Sequence, residues 1–504
     1  MKIHLRALVL FGLCGALLLS LGEPAAAVEA HNGETYVIRS VSYEIDGRTR
    51  PAVLAHRLDI EEERRFETRT MLEVYLEDKE QLLANQRTLA NGTILASYQQ
   101  SSTEAEVVYV DLEVRVEDTW NLILLPYGKY DSNEGLEISL KGRDFNFLGR
   151  MNEIALNFDY LIRDWAQDSE RSGYDFTLYN SFELPFYAYG LDWHVGFTGD
   201  LTYNTPETLD VTQSGAPLQA NTTFTFGLDI PLEYQRWETE LIQEYHLNEE
   251  GFDDPDGYYY RTTLRFGSSI PTGLELPFSD EITYSPYLFT GFSYKPGDVL
   301  SEERRGYEAG FQNSLSAGRI DWMGNFRSGN KAVLESTLKR NFTRARWLGS
   351  ASAEYQYHNE WGWGGVSSRT GFFYRYGSVK EEAGDTIRGI LDRRVHGNLG
   401  AYTNLAFPTR MWIGFLDRWF EGHVSPFFDY AVVRPEGDSF DLRDAWYGAG
   451  VEGFAYAKFA RSLYLRLSFG VDVEAMLEGG GLSTPAERDG GAPYEIFIGL
   501  GHHY

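Results

Sequence analysis

The chain has 504 residues, a formal net charge of −29 and a single cysteine. So acidic a chain excludes a nucleic-acid partner, whose phosphates demand a basic face, and one cysteine excludes a disulfide framework or a thiolate metal site. Aromatic residues make up 15%, with 33 Tyr and 31 Phe beside 51 Gly, a mixture suited to strands that face lipid on one side and a lumen on the other.

Residues 1–27 read as a signal peptide. Lys2, His4 and Arg6 make a basic start, residues 7–21 are apolar, and Ala25-Ala26-Ala27 offer small residues for cleavage. The apolar run is shorter than the ~20 residues a spanning helix needs, and it contains Cys14, so the chain beyond it is free of cysteine. No later segment reaches ~18 consecutive apolar residues.

Residues 35–118 predict a small α+β domain. An alternating run over 36–45 reads as a strand, and Asp46-Gly47 as a turn. Pro51 opens a helix that continues over 52–58. Leu72, Leu76, Leu82, Leu83 and Leu89 put a second helix over 68–89. Asn91-Gly92 breaks it, and alternating runs over 94–99 and 107–116 predict two more strands.

From about Trp120 the period becomes two. Ile154, Leu156, Phe158, Tyr160 and Ile162 alternate with more polar neighbours; so do Phe224, Phe226, Leu228 and Ile230, and again Leu463, Leu465, Leu467 and Phe469. Many runs approach the ~9–11 residues of a tilted spanning strand, and closure removes the sheet edges that so many strands would expose. The predicted fold is therefore mainly β: a transmembrane antiparallel β-barrel of about 16 strands over 119–504, behind the small α+β domain. Outer loops are expected at 253–257, 296–305, 377–394 and 478–491.

Several groups could carry chemistry. Asp253, Asp254 and Asp256 could offer calcium oxygens, but an acidic turn explains them more simply. His502 and His503 alternate faces of a strand, so they make no joint metal site. Trp361 and Trp363 suit an interfacial girdle, and Asp392-Arg393-Arg394 reads as a solvated charge run. There is no G-x-S-x-G elbow, H-E-x-x-H helix or phosphate loop; no catalytic residue, metal or cofactor is assigned, and the chain is read as a non-enzyme. Ile387-Arg388-Gly389-Ile390 is different. An arginine folded into a lumen must be paired, because an isolated buried charge is very costly, and Gly389 permits the tight turn that would bring Arg388 against the wall.

The same stretch resembles the BamA/TamA (bacterial surface antigen) family of outer-membrane barrels. Ile387–Ile390, followed by Gly397-Asn398, is similar to that family's V/I-R-G-F/Y loop motif. Residues 144–150, with Asn146, Leu148 and Gly149, resemble an N-x-L-G segment before the third barrel strand. The strand-helix-helix-strand-strand order of the first domain resembles one POTRA module. The terminal strand, with Tyr494, Ile496, Ile498, Leu500 and Tyr504, resembles the signal such barrels present to assembly machinery. The resemblance implies Asp429, in Phe427-Phe428-Asp429, as the partner of Arg388, with Ala431 where the family has glycine. A second family carboxylate is missing near Ala406, and Glu452 is a substitute.

The resemblance implies an outer-membrane location with the first domain in the periplasm. It also implies assembly, insertion or translocation of polypeptides by strand templating where the first barrel strand (about 121–130) meets the last, with Gly499 and Gly501 weakening that seam. Partners are then outer-membrane lipid, unfolded outer-membrane or secreted polypeptides, and periplasmic accessory proteins. The alternative is a passive pore or structural surface barrel.

Overall fold

The computed structural model describes residues 34–502 apart from 87, 102–105, 164–172, 206–217, 233–234, 249–255, 275–281, 303, 378–380, 383–385, 392–393, 435–444, 460–462 and 478–491. The segment expected to be a signal peptide, with Cys14, and Asp253, Asp254, Asp392, Arg393, His503 and Tyr504 lie outside the described residues.

The first domain runs β1 (Thr35–Asp46), α1 (Pro51–Leu58), β2 (Arg65–Phe66), α2 (Arg69–Asn85), β3 (Leu89–Gln100) and β4 (Val107–Asp118). The sheet order is β2-β1-β4-β3, with β1 parallel to β4 and β3 antiparallel to it. Leu72, Leu76 and Leu83 share one face of α2 and are buried against Ile38, Leu54, Val110, Leu112 and Val114. The Thr68 side chain caps α2 by accepting from the Met71 amide.

The helix expected to reach Leu89 ends at Asn85, and Leu89 instead opens β3. Asn91-Gly92, expected to lie in a loop, falls inside that strand, just past a register shift between Leu89 and Asn91. Leu83 packs there so closely that a Cβ at Gly92 would lie 3.0 Å from it. Glycine serves close packing here rather than chain reversal.

The barrel strands are β5 (Leu122–Asp131), β6 (Gly135–Asp144), β7 (Ile154–Ile162), β8 (Tyr174–Ala188), β9 (Leu191–Asn204), β10 (Leu218–Leu232), β11 (Gln235–Leu247), β12 (Tyr258–Pro271) and β13 (Ile282–Tyr294). They continue as β14 (Gly306–Met323), β15 (Phe326–Asn341), β16 (Arg346–Glu360) and β17 (Gly365–Tyr376). After a short pair, β18 (Glu381–Glu382) with β19 (His396–Gly397), come β20 (Leu399–Ala406), β21 (Thr409–Met411), β22 (Phe420–Arg434), β23 (Ala445–Ala457), β24 (Leu463–Asp472) and β25 (Tyr494–His502). Each pairs antiparallel with its neighbour, and β25 closes on β5.

Taking β20 and β21 as one interrupted strand, since both pair with β22, the closed barrel has 18 strands rather than about 16. The excess comes from the turns at the end that carries the first domain. Tyr189-Gly190 and Gly324-Asn325 reverse the chain in two residues each, leaving sequence for another hairpin.

Polarity is inside out relative to a soluble sandwich. Leu288, Phe292, Leu334, Leu338, Leu465 and Leu467 are exposed on the outer surface. Inward positions hold ion pairs such as Arg261–Glu308 (3.1 Å), Arg265–Glu240 (3.1 Å) and Lys339–Glu308 (3.2 Å). Among the described residues no helix is long and apolar enough to cross a membrane.

The first domain is held to the barrel at two places. In the β6–β7 turn, Asn146 donates to Asp118 (3.0 Å), which also accepts the Arg48 (2.6 Å) and Thr49 (3.0 Å) amides. Met151 from the same turn is buried in the domain's own core. Gly149 sits at φ +73°, and a Cβ there would overlap the Arg48 carbonyl. The second place is the β14–β15 hairpin, the tenth and eleventh strands, halfway round the ring. Asn85 of α2 donates to Asp321 (2.9 Å) and accepts from the Trp322 amide (3.0 Å), Gln81 donates to the Trp322 carbonyl (3.2 Å), and Arg319 pairs with Asp78 (2.7 Å). The domain thus lies across one mouth of the barrel.

Candidate functional site

Between β17 and β20, the described residues 386–391 and 394–395 fold back into the lumen. Ile387, Ile390 and Val395 are buried with Tyr402, Ala431, Val433 and Trp446. This apolar seating presents the guanidinium of Arg388 to the inward face of β22 and β23. Its Nε donates to Asp429 Oδ2 (2.9 Å) and its Nη2 to Asp429 Oδ1 (2.7 Å), a forked contact that fixes position and plane together. The Arg388 amide also donates to Asp429 Oδ2 (2.8 Å). Nη1 donates to Glu452 Oε2 (2.6 Å), whose other oxygen accepts from Arg466 Nε (2.8 Å). The Phe427 ring lies under the guanidinium at 4.0 Å. Two cations thus meet two anions, and Asp429 is 0% exposed, so losing either partner would strand a buried charge.

Close approach depends on three glycines. Gly389 has φ +88°, and a Cβ there would lie 2.7 Å from the Val471 amide nitrogen. A Cβ at Gly470 would lie 2.5 Å from the Gly389 Cα, and one at Gly448 would overlap the Arg388 carbonyl. Loop and wall therefore touch backbone to backbone. Ala431 is itself part of the buried cluster, so its methyl packs where the family pattern has glycine. Ala406 lies at the end of β20 opposite Phe427; Glu452 is the second carboxylate on Arg388, from another strand.

Several residues of the site escaped the sequence reading, Arg466, Gly448 and Gly470 among them. Arg394, expected to be a solvated charge, is 4% exposed and pairs with Asp472 (2.9 Å) beside Trp446. The reason is that the lumen loop turns it inward. Asp472 receives it, and Glu495 accepts from the Gly389 amide (2.7 Å). Parity could have found both acids, because they take lumen positions between outward residues such as Phe469 and Ile496.

The other candidates are not brought to this site. Asp256 lies in the loop ahead of β12, where it accepts from Ser301 Oγ (2.6 Å) and Arg304 (3.1 Å). Among the described residues no cluster of His, Cys, Asp and Glu could hold a metal. Trp361 and Trp363 sit in the β16–β17 turn, edge to face at 5.9 Å.

The terminal strand forms the seam. Tyr494 pairs with Val471, Ile496 with Phe469, Ile498 with Leu467 and Leu500 with Leu465. On its other side, β25 pairs with β5 only at Phe497–Asp131 and Ile498–Tyr130. Ser132 and Ile496 add two hydrogen bonds above them (3.1 and 3.0 Å). Other full-length neighbours share eight to sixteen register pairs. The rest of β5, toward the first domain, has no backbone pairing among the described residues, although the Tyr127 hydroxyl reaches the Leu500 backbone across the seam.

Fold and site together define a closed antiparallel barrel with an arginine-clamped loop in its lumen and one short seam. No protein family matches the chain by sequence, and no curated protein does. Among solved structures, the chain is similar to CdiB from Acinetobacter baumannii at 13% identity, covering 93% of this chain and 74% of that one with a TM-score of 0.48. It is similar to BamA from Haemophilus ducreyi lacking POTRA domains 1-3 at 11% identity, covering 92% and 84%, TM-score 0.40. It is also similar to CdiB from Escherichia coli at 12% identity, covering 96% and 94%, TM-score 0.40.

Proposed function

We propose that this chain spans a bacterial outer membrane and helps other polypeptides insert into it or cross it, by opening sideways at the β5–β25 seam. The exposed apolar exterior supports a lipid-facing wall. The 13-residue strands β11 and β13, at ~3.3 Å per residue and tilted by ~45°, rise ~30 Å, the thickness of a bilayer's hydrocarbon core. The first domain then lies in the periplasm as a POTRA-like module, whose outermost strand β3 could receive an extended client segment once Glu80 releases the Ile94 amide.

The observation that carries the reading is the seam. Unpaired N–H and C=O groups are costly in lipid, so an edge without backbone pairing along most of β5, among the described residues, stands ready to accept an incoming strand. The lumen loop is seated on strands β22–β25, the side of the wall that ends at this seam.

The test is reconstitution in liposomes with an unfolded barrel protein as client. The wild type should accelerate client folding. A Cys14→Ser, Tyr130→Cys, Ile498→Cys variant, locked across the seam by a disulfide, should lose that acceleration and regain it on reduction. Steady ion conductance with no effect on client folding would instead point to a passive pore.

A further inference from the structure

The lumen loop and the seam meet at one side chain. Glu495 lies in β25. Its Oε2 accepts the Gly389 amide of the arginine loop at 2.7 Å. Its Oε1 accepts the Asn133 side-chain amide, in the β5–β6 turn, at 3.0 Å. One carboxylate therefore joins the loop, the last strand and the first hairpin. Directly below it come the Ser132–Ile496 hydrogen bonds and then the two seam pairs. A second route runs the same way: Arg388 to Glu452, Glu452 to Arg466, and the Arg466 guanidinium 4.9 Å over the Phe497 ring at the seam.

We propose that Glu495 is a positioning residue that couples the seating of the lumen loop to closure of the seam. This deepens the function proposed above, because lateral opening then becomes one equilibrium with release of the loop. By linkage, whatever factor the seated loop adds to seam closure, the closed seam adds to loop seating. Seam pairing this short makes such a tie consequential: two charge-assisted hydrogen bonds at Glu495 are comparable in strength to the backbone bonds that the seam itself provides.

The chemistry specifies which substitutions should matter. Glutamine at 495 can accept the Gly389 amide through its oxygen and donate to a flipped Asn133 amide, so Glu495→Gln should hold the seam. Glu495→Ala removes both contacts. Asn133→Asp sets two carboxylates face to face, and combining it with Glu495→Gln restores a donor between them.

Seam closure is read as the rate of disulfide formation between Tyr130→Cys and Ile498→Cys in a Cys14→Ser background, in liposomes and with no client present. Relative to the otherwise unaltered cysteine pair, Glu495→Ala and Asn133→Asp should each slow it at least about tenfold, the scale of one lost charge-assisted hydrogen bond. Glu495→Gln, and the Asn133→Asp/Glu495→Gln double variant, should stay within about twofold, as neutral hydrogen bonds replace the charged ones. Gly448→Ala, which displaces the loop without touching the seam, should slow it too. Wild-type rates in folded Glu495→Ala, or a double variant as slow as Asn133→Asp alone, would overturn the coupling. Should Glu495→Ala fail to fold, as read by heat-modifiable migration on a gel, the Asn133→Asp pair still decides. Because no client enters this assay, its outcome stands apart from whether the barrel assembles anything.

Discussion

Arg388 makes three side-chain hydrogen bonds and one backbone hydrogen bond to acids that water scarcely reaches. Removing it leaves Asp429 buried and uncompensated, a loss on the order of 3–5 kcal/mol. Arg388→Ala should therefore lower the urea midpoint of the barrel far more than Arg369→Ala, whose half-exposed pair with Glu354 contributes only about 0–1 kcal/mol. Equal shifts would mean that the clamp is ordinary. Asp256 offers a pH-dependent counterpart outside the wall. Burial alone would raise its carboxyl, but hydrogen bonds from Ser301 and Arg304 outweigh it and hold the group below the usual carboxylate range. A depressed folded value means that its stabilisation is present above the unfolded carboxylate range and fades as pH falls through the folded value. Urea midpoints taken from neutral pH down to acid should thus fall less for Asp256→Asn than for wild type, and the two curves should converge at the acid end.

Among the described elements, the β5–β25 seam has the fewest register pairs in the wall, while residues 386–391 and 394 of the lumen loop are held by Asp429, Glu452, Glu495 and Asp472. Gly448→Ala should break that hold from the strand side, raising labelling of a cysteine placed at Thr386 while the barrel still migrates as folded. Unchanged labelling would contradict the backbone contact. Much of this was legible from alternation alone. Leu463, Leu465, Leu467 and Phe469 announce β24 and its outward face, and the same parity marks Asp472 and Glu495 as inward. What alternation could not reveal is which inward groups meet, because that depends on ring closure and on strands far apart in sequence. Glu452 lies 64 residues from Arg388 and carries no motif. Strand number was hidden for a related reason: period-two patterning marks faces but not the two-residue turns that separate β8 from β9 and β14 from β15. The end of α2 was misjudged because Leu89 continues the apolar spacing of the helix while belonging to β3, where it packs into the same core.

At the scale of the whole molecule, the first domain bridges the mouth from the first strands to the tenth and eleventh. Its two attachments are unequal. The β6–β7 turn gives it Met151 as a core residue and the buried Asn146–Thr49 hydrogen bond beside Asp118, whereas the β14–β15 hairpin offers part-buried hydrogen bonds and the half-exposed Arg319–Asp78 pair. The second should release first. Asn85→Ala and Arg319→Ala, each costing about 0.5–1.5 kcal/mol at most, should speed hydrogen exchange at the α2 side while residues 144–151 stay protected, and salt should mimic the Arg319 change. Faster exchange at residues 144–151 instead would reverse the roles of the two attachments. A domain that swings about the β6–β7 turn would uncover the mouth on the β14–β15 side, halfway round the ring from the unpaired edge of β5, at which the proposed function has a client strand arrive. The most direct test is therefore site-specific photo-crosslinking during client folding in liposomes, with the probe at Leu124 on β5 or at Leu334 on β15. Capture of the client from Leu124 and not from Leu334 is the expected result; equal capture from both, or none from Leu124 while the client folds faster, would contradict entry at the seam.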